Sequence, residues 1–368
     1  MAEPLKSGYN EPFLRHFGQI VRSAYLPFDL DGFVNQVMDD GWDELELRAR
    51  MRRISKTLGS FLPDRYEKAL DVLVEINPDC QGFLYLFLPD FVEIFGTDEK
   101  HWHVSMEALE CFTQSSSAEF AIRAFILRDP DRAMRQMLAW SVHPNEHVRR
   151  LSSEGCRPRL PWGKGLPLLK EDPSPILPVL ERLKEDPALY VRKSVANNFN
   201  DIAKDHPSIV IETARRWIGS HPDTDWILRH ACRTLVRKGD PDALSLFGYA
   251  EATEATSRIR DAQLEADASI MRIGDRSTLR YEVHFDEGEA IRVRVEYGID
   301  FVKKRGTTSR KLFLLSDKYI PGGSILSGIR QHDWSNLSTR IHYPGMHRIV
   351  LLVNGSEVAS TEIELTDS

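Results

Sequence analysis

The sequence predicts a multidomain fold, α then β: an α-solenoid of helical repeats followed by an antiparallel β-sandwich. Three observations carry this. Helix starts recur at His143-Pro144, Asp186-Pro187 and His221-Pro222. A second series falls between them, at Asp129-Pro130, Asp172-Pro173, His206-Pro207 and Asp240-Pro241, in steps of 43, 34 and 34 residues. An Asp cap accepts a free backbone N–H, and Pro at the first helical position gives up no helical bond. Two interleaved series of this kind describe a degenerate helical-hairpin repeat of the HEAT class. The third observation is a change of apolar period to two after Tyr249, with an Asn354-Gly355 turn near the end.

The first helices follow from spacing and caps. Asn10 caps a segment with Pro12 near its start, in which Phe13, Phe17, Ile20 and Val21 recur at helical intervals until Leu26-Pro27. Phe33, Val34, Val37 and Met38 mark a second helix. Leu45, Leu47, Met51, Ile54 and Leu58 mark a third, stopped at Gly59, and Tyr66, Leu70, Leu73 and Val74 a fourth that ends before Asn77-Pro78. The run 82–95 is strongly apolar but broken by Pro89 and too short to span a bilayer, so it reads as buried core. Residues 101–127 should hold two more helices. Ser116 and Glu119 have the spacing of a capping box, which gives Glu119 a structural role to set against a functional one.

Within the repeats the polar residues agree in phase. Counted from each opening residue, Arg150 and Lys193 sit at +7, and Glu154 and Asn197 at +11. In the third copy Trp226 shifts the match to Arg229 and Arg233. Residues four apart share a helix face. Arg150 with Glu154, Lys193 with Asn197 and Asp201, and Arg229 with Arg233 and Arg237 would therefore line one surface. A solvated outer face has the same spacing in any single helix; three helices in phase favour a binding surface. The stretch Arg157-Pro158-Arg159-Leu160-Pro161-Trp162-Gly163 must be an ordered loop. Its Trp162 either plugs the core between repeats or faces a ligand.

Composition sets bounds. The 368 residues are 42% hydrophobic and 28% charged, an ordinary globular balance for two domains, expected at 1–255 and 256–368. The net charge of −7 is uneven. Residues 148–164 hold five cations (Arg149, Arg150, Arg157, Arg159, Lys164) against Glu154, and residues 303–311 hold Lys303, Lys304, Arg305, Arg310 and Lys311 with no anion. Local patches of this kind meet phosphates, although the second also reads as a solubilising loop. Cys80, Cys111, Cys156 and Cys232 form no Cys-x-x-Cys pair, which argues against zinc and thioredoxin chemistry and for buried thiols in a reducing compartment. Cys156 reads as a packing residue rather than a nucleophile. No signal pattern or membrane-length apolar window occurs, so a soluble cytoplasmic protein is expected, with no membrane partner.

Residues 250–261 read as a polar linker. Beyond them, 279–285, 291–297, 310–314, 347–353 and 357–365 alternate as antiparallel strands, enough for an immunoglobulin-like sandwich without the antibody-type disulfide. Tyr343-Pro344-Gly345 has the look of a tyrosine corner.

Three segments carry a family resemblance: SSSAEFAIR (115–123), VRRLSSEGCRPRLPWG (148–163) and VRKSVANNFNDIAKDHP (191–207). They resemble the AlkC branch of the HEAT-like repeat DNA glycosylases, related to AlkD, over roughly residues 10–250. The sandwich resembles the extra domain of one AlkC subgroup. The resemblance implies excision of cationic alkylated bases, chiefly 3-methyladenine and 3-methylcytosine, from double-stranded DNA, without flipping the base into a pocket.

The residues suit that chemistry. An N3-methylated base is already a good leaving group, and the sugar left behind is an oxocarbenium ion that carboxylates stabilise. Glu154 and Asp201 are the candidates, with Glu119 third, and Trp162 could stack on the sugar or the base. Arg149, Arg150, Arg157, Arg159, Lys193, Asn197, Arg229 and Arg233 are expected at DNA, joined by Lys303, Lys304, Arg305 and Arg310. No metal or nucleotide cofactor is implied, and a monomer is expected. A damage-sensing DNA binder without activity and a protein-binding repeat scaffold are the competing readings, since fold alone does not carry function.

Overall fold

A computed structural model describes residues 5–337 and 340–367. They pack as two compact units. The first holds the chain through His206 together with Trp217–Ala231; the second holds Pro207–Arg216 and the chain from Cys232 onward.

In the first unit the early helices lie where the spacing places them, at Glu11–Ala24, Leu30–Val37, Leu47–Phe61 and Tyr66–Ile76. Asn10 caps the first, its side chain accepting from Phe13 N at 3.0 Å. The third does not stop at Gly59. A Cβ there would lie 2.3 Å from the Phe95 ring, so this glycine admits a neighbour and does not end the helix. Pro89 does not interrupt Phe87–Phe95 either, because it falls in the first turn, where its missing N–H has no helical partner. Residues 101–127 hold the helices Trp102–Thr113 and Ile122–Arg128. The capping box is not formed: the second helix starts at Ile122, past Ser116 and Glu119, and has no side-chain cap.

Most of the interleaved starts hold, but Asp172-Pro173 ends a short helix and leads into a 3-10 turn, so the α-helix after it, Leu177–Leu183, begins later. Asp129 caps Pro130–Trp140 and Pro222 opens Pro222–Ala231, while after His143-Pro144 and Asp186-Pro187 the helices begin a little later, as Glu146–Glu154 and Leu189–Ile202. These last three stack in sequence order. Small polar residues let the first pair approach closely: Ser153 and Ser194 hydroxyls meet at 2.7 Å, and Asn198 Nδ2 donates to Ser153 O at 2.7 Å. An arginine ladder repeats along the stack. Arg149 donates to His143 O and Pro144 O and pairs with Asp186; Arg192 donates to Asp186 O and Pro187 O and pairs with Asp223.

The second unit contains the sandwich. Its strands are β1 (Ile259–Ala266), β2 (Ile270–Arg272), β3 (Arg276–Phe285), β4 (Ile291–Val302), β5 (Thr308–Ile320), β6 (Ile325–Asp333), β7 (Gly345–Val353) and β8 (Ser356–Thr366). One sheet runs β1-β3-β6 and the other β2-β8-β7-β4-β5. Val283, Val295, Ile299, Trp334, Ile349, Leu351 and Ile363 fill the space between them. The supposed polar linker is a helix, Ala252–Ser257, followed by β1, and Ala255 is buried in the sandwich core. Asn354 and Gly355 both have positive φ, as the hairpin turn requires. Asn354 is also fully buried, donating to Ala250 O at 2.8 Å and accepting from Arg294 N at 2.7 Å. Among the described residues the Tyr343 hydroxyl has no hydrogen bond, and the segment just upstream where a tyrosine corner would bond includes residues 338 and 339, which lie outside the described residues.

Candidate active site

The carboxylates expected from two successive repeats meet in the first unit. Glu154 ends the helix Glu146–Glu154, and Asp201 lies one residue from the end of Leu189–Ile202. Side-by-side packing of these helices brings both to one guanidinium. Arg157 Nη1 donates to Glu154 Oε1 at 2.7 Å, and its Nε donates to Asp201 Oδ2 at 2.9 Å. All three side chains are at least nine-tenths buried. Lys204 adds a 2.9 Å contact to Asp201 Oδ1. Glu119 joins through Arg150, whose Nη1 lies 2.7 Å from Glu119 Oε2 and whose Nη2 lies 3.6 Å from Glu154 Oε1. Ser117 also donates to Glu119 Oε2, at 3.0 Å. Arg150 packs over the Tyr190 ring, 4.7 Å from its centroid.

Burial works against the charges on Arg157 and Arg150, but the adjacent carboxylates outweigh it and hold both guanidiniums above their usual range. The contacts of Glu154 and Glu119 all fall on one oxygen of each. Glu154 Oε2 and Glu119 Oε1 therefore have no hydrogen bond among the described residues and remain available to a water or a cation.

Trp162 does not plug the core. Its side chain is 62% exposed, and its φ of 62° puts a bulky residue in the left-handed region. Such a conformation costs on the order of 1–3 kcal/mol and persists only where the surroundings impose it. Arg48 donates to Trp162 O, and Lys164 Nζ reaches Glu93 Oε1 at 2.8 Å. Cys156 is fully buried, which pushes its thiol up to about 12, the state of a packing residue.

The expected DNA contacts separate into two groups. Arg149, Arg150 and Arg157 are occupied within the protein, and Arg159 pairs with Asp205 at 2.6 Å. Lys193 is exposed, with no ion pair among the described residues. Asn197 is half-buried on the same helix, and Arg229 is exposed near the end of Pro222–Ala231. The stripe from Arg229 to Arg237 does not run along one helix, because the helix ends at Ala231 and, after Cys232, Arg233 opens a new one. In the second unit, Lys303, Lys304 and Arg305 occupy the turn between β4 and β5, closed by Lys303 N→Thr307 O at 2.8 Å. Arg310 is taken up by Asp300 at 2.7 Å and by Glu357, and Lys311 is exposed on β5.

Sequence reasoning missed Arg192, Arg123 and Arg48. Arg192 had a signal, since it and Arg149 both stand at +6 in their repeats. The other two act on backbone carbonyls distant in sequence, which no local spacing reveals.

Residues 260–367 match the family described as the C-terminal Ig-like domain of uncharacterised protein YhaZ. The chain is 44% identical to the uncharacterized protein YhaZ of Bacillus subtilis (strain 168) over 361 residues, 98% of this chain and 99% of that one. It also matches the structure of Pseudomonas fluorescens alkylpurine DNA glycosylase AlkC bound to DNA containing an abasic site analogue. There the TM-score is 0.91 at 38% identity, over 99% of this chain and 100% of that one. The fold is therefore that of an AlkC-like alkylpurine DNA glycosylase: a helical-repeat region followed by an immunoglobulin-like domain. The chain belongs to the AlkC branch of the HEAT-like repeat (AlkC/AlkD) family, in the subgroup that carries this domain.

Proposed function

We propose that this protein is a DNA N-glycosylase that removes cationic N3-alkylated bases, 3-methyladenine and 3-methylcytosine among them, from duplex DNA without flipping the base into a pocket. The observation that carries this reading is the gathering of Glu119, Glu154 and Asp201 on two buried arginines. Kinship with an alkylpurine DNA glycosylase solved on abasic-site DNA supports it.

The C1′–N bond breaks with its electron pair leaving on the base, which departs neutral. The positive charge moves to the sugar. Carboxylates held in a site poor in water stabilise that charge without reorganising. Water adds at C1′ and passes a proton to a carboxylate oxygen, for which Glu154 Oε2 and Glu119 Oε1 are suited. Arg157 and Arg150 hold the carboxylates in place and offset their mutual repulsion. Trp162 stacks on the cationic base or the sugar. In the first unit Lys193, Arg229 and Arg159 contact phosphates, with Asn197 on the same helix as Lys193; in the second unit Arg233, Lys303, Lys304 and Arg305 are further DNA contacts. In this reading Arg149, Arg150 and Arg157 shape the site from within. Incubation with N-methylated DNA should release free methylated bases and leave abasic sites. Tight binding without release would point to a damage sensor, and neither binding nor release to a protein scaffold.

A further inference from the structure

The loop that carries both Arg157 and Trp162 is fastened by a residue that touches neither carboxylate. Arg123, on the helix Ile122–Arg128, is fully buried. Its Nη1 donates to Gly155 O at 2.9 Å and to Arg157 O at 2.8 Å, and its Nε donates to Lys164 O at 2.5 Å. One guanidinium thus holds both ends of the loop. Burial is severe enough to lower its pKa to about 10, and Nη2 has no hydrogen-bond partner among the described residues. A buried arginine that satisfies three carbonyls and leaves one nitrogen orphaned is costly for stability alone. Arg48, on Leu47–Phe61, donates to the carbonyl of Trp162 itself, and it lies 5.1 Å from the centroid of the Phe120 ring.

We propose that Arg123 and Arg48 are positioning residues for the active site. Arg123 fixes the backbone at Arg157, whose side chain spaces Glu154 and Asp201. Together with Arg48 it holds Trp162 in its left-handed, outward-facing conformation. Lysine cannot replace Arg123, because a single ammonium does not present the fixed fork that reaches carbonyls at both ends of a loop. This inference rests on the glycosylase reading for its kinetic consequence but not for its structural one.

The test uses the full-length protein and two readouts. Acrylamide quenching attributable to Trp162 is the difference between each protein and its counterpart carrying Trp162→Phe. Single-turnover release of 3-methyladenine from DNA gives the rate of the chemical step. Arg123→Lys, with wild-type circular dichroism, should alter the Trp162 quenching and slow release by roughly 10–100-fold, the scale of a misplaced catalytic group. Its affinity for DNA containing an abasic analogue should stay within about threefold. Lys164→Met removes only the ion pair from this exposed lysine to the buried Glu93, which keeps Arg52, and leaves the carbonyl that Arg123 holds, so its loss should be smaller. Wild-type quenching and release in Arg123→Lys, or an equal loss in Lys164→Met, overturns the proposal. If Arg123→Lys does not fold, Arg48→Ala decides: unchanged Trp162 quenching there refutes the clamp. If the wild-type protein releases no base, the proposed function fails, while the quenching comparison still judges the clamp.

Discussion

Glu154 and Asp201 share one guanidinium. Arg157 Nη1 is 2.7 Å from the first carboxylate and Nε is 2.9 Å from the second, although the two acids come from helices in different repeats. Two carboxylates brought onto one group would repel each other, and the guanidinium between them offsets that repulsion.

The carboxylates should therefore act as charges. Glu154→Gln and Asp201→Asn preserve shape and remove one charge each. Either should lower the single-turnover excision of 3-methyladenine by about 10²-fold or more, the scale of one lost electrostatic stabiliser. Affinity for DNA with an abasic analogue should change far less. Wild-type rates in both folded variants would remove these residues from the chemistry.

Arg157 and Lys193 should separate cleanly. Arg157→Met leaves two buried carboxylates without their shared cation, which should cost roughly 3–5 kcal/mol of stability in denaturant titrations. The salt dependence of DNA binding should not change. Lys193→Ala should do the reverse: little change in stability, weaker binding to lesion and undamaged DNA alike, and a salt slope shallower by about one unit. A shallower slope for the arginine variant would show that Arg157 leaves its ion pairs to meet phosphate.

The sequence made some of this legible and hid the rest for physical reasons. Asp-Pro caps and apolar spacing placed the helices, because both are local signals. Equivalent positions in successive repeats placed Glu154, since stacked repeats bring like positions together. Asp201 lies one turn beyond Asn197 on the same face and came with it. Spacing could not say which cations face solvent: Arg150 and Lys193 occupy the same repeat position, yet Arg150 is locked between Glu119 and Glu154 while Lys193 is exposed. The strand β6 escaped notice because Gly328 interrupts its alternation. That glycine sits opposite Tyr281, whose ring occupies the place of a side chain.

Asp90 makes stability depend on pH. It is 2% exposed and lies 2.9 Å from Arg52 Nη2, its only ion pair among the described residues. Burial dominates over Arg52 and raises its carboxyl to about 6. The folded state then binds more protons than the unfolded chain between the unfolded value, near 4, and about 6, so stability falls as pH rises through that window. The loss should be on the order of 2–3 kcal/mol. Asp90→Asn should abolish this component and leave the variant more stable than wild type at pH 7 but not at pH 4, as read by urea midpoints at the two values. Equal slopes in the two proteins would show that Arg52 compensates the buried charge fully.

The β4–β5 turn should bind DNA through Lys303, Lys304 and Arg305, and not through Arg310. The three turn cations are at least partly exposed around Gly306, whose positive φ of 76° shapes a tight connection with backbone amides near its tip. Arg310 is already neutralised by Asp300 and Glu357, which raise its pKa, foremost through the hydrogen bond to Asp300. Truncation near residue 255 is a poor test, because Ala255 and the helix around it pack into the sandwich core. Charge reversal is cleaner. Lys303→Glu, Lys304→Glu and Arg305→Glu together should lower affinity for a lesion-containing duplex by at least tenfold at moderate salt and flatten the salt slope by two to three units, as expected for about three lost phosphate contacts. Excision should fall when protein is limiting and recover when DNA is saturating, since the turn carries no carboxylate and acts only through binding. Arg310→Ala should instead lower the melting temperature of the second unit and leave the salt slope alone. A triple variant that binds and excises like wild type at low protein concentration would assign this turn to surface solubility, and DNA contact would then rest on the helical region.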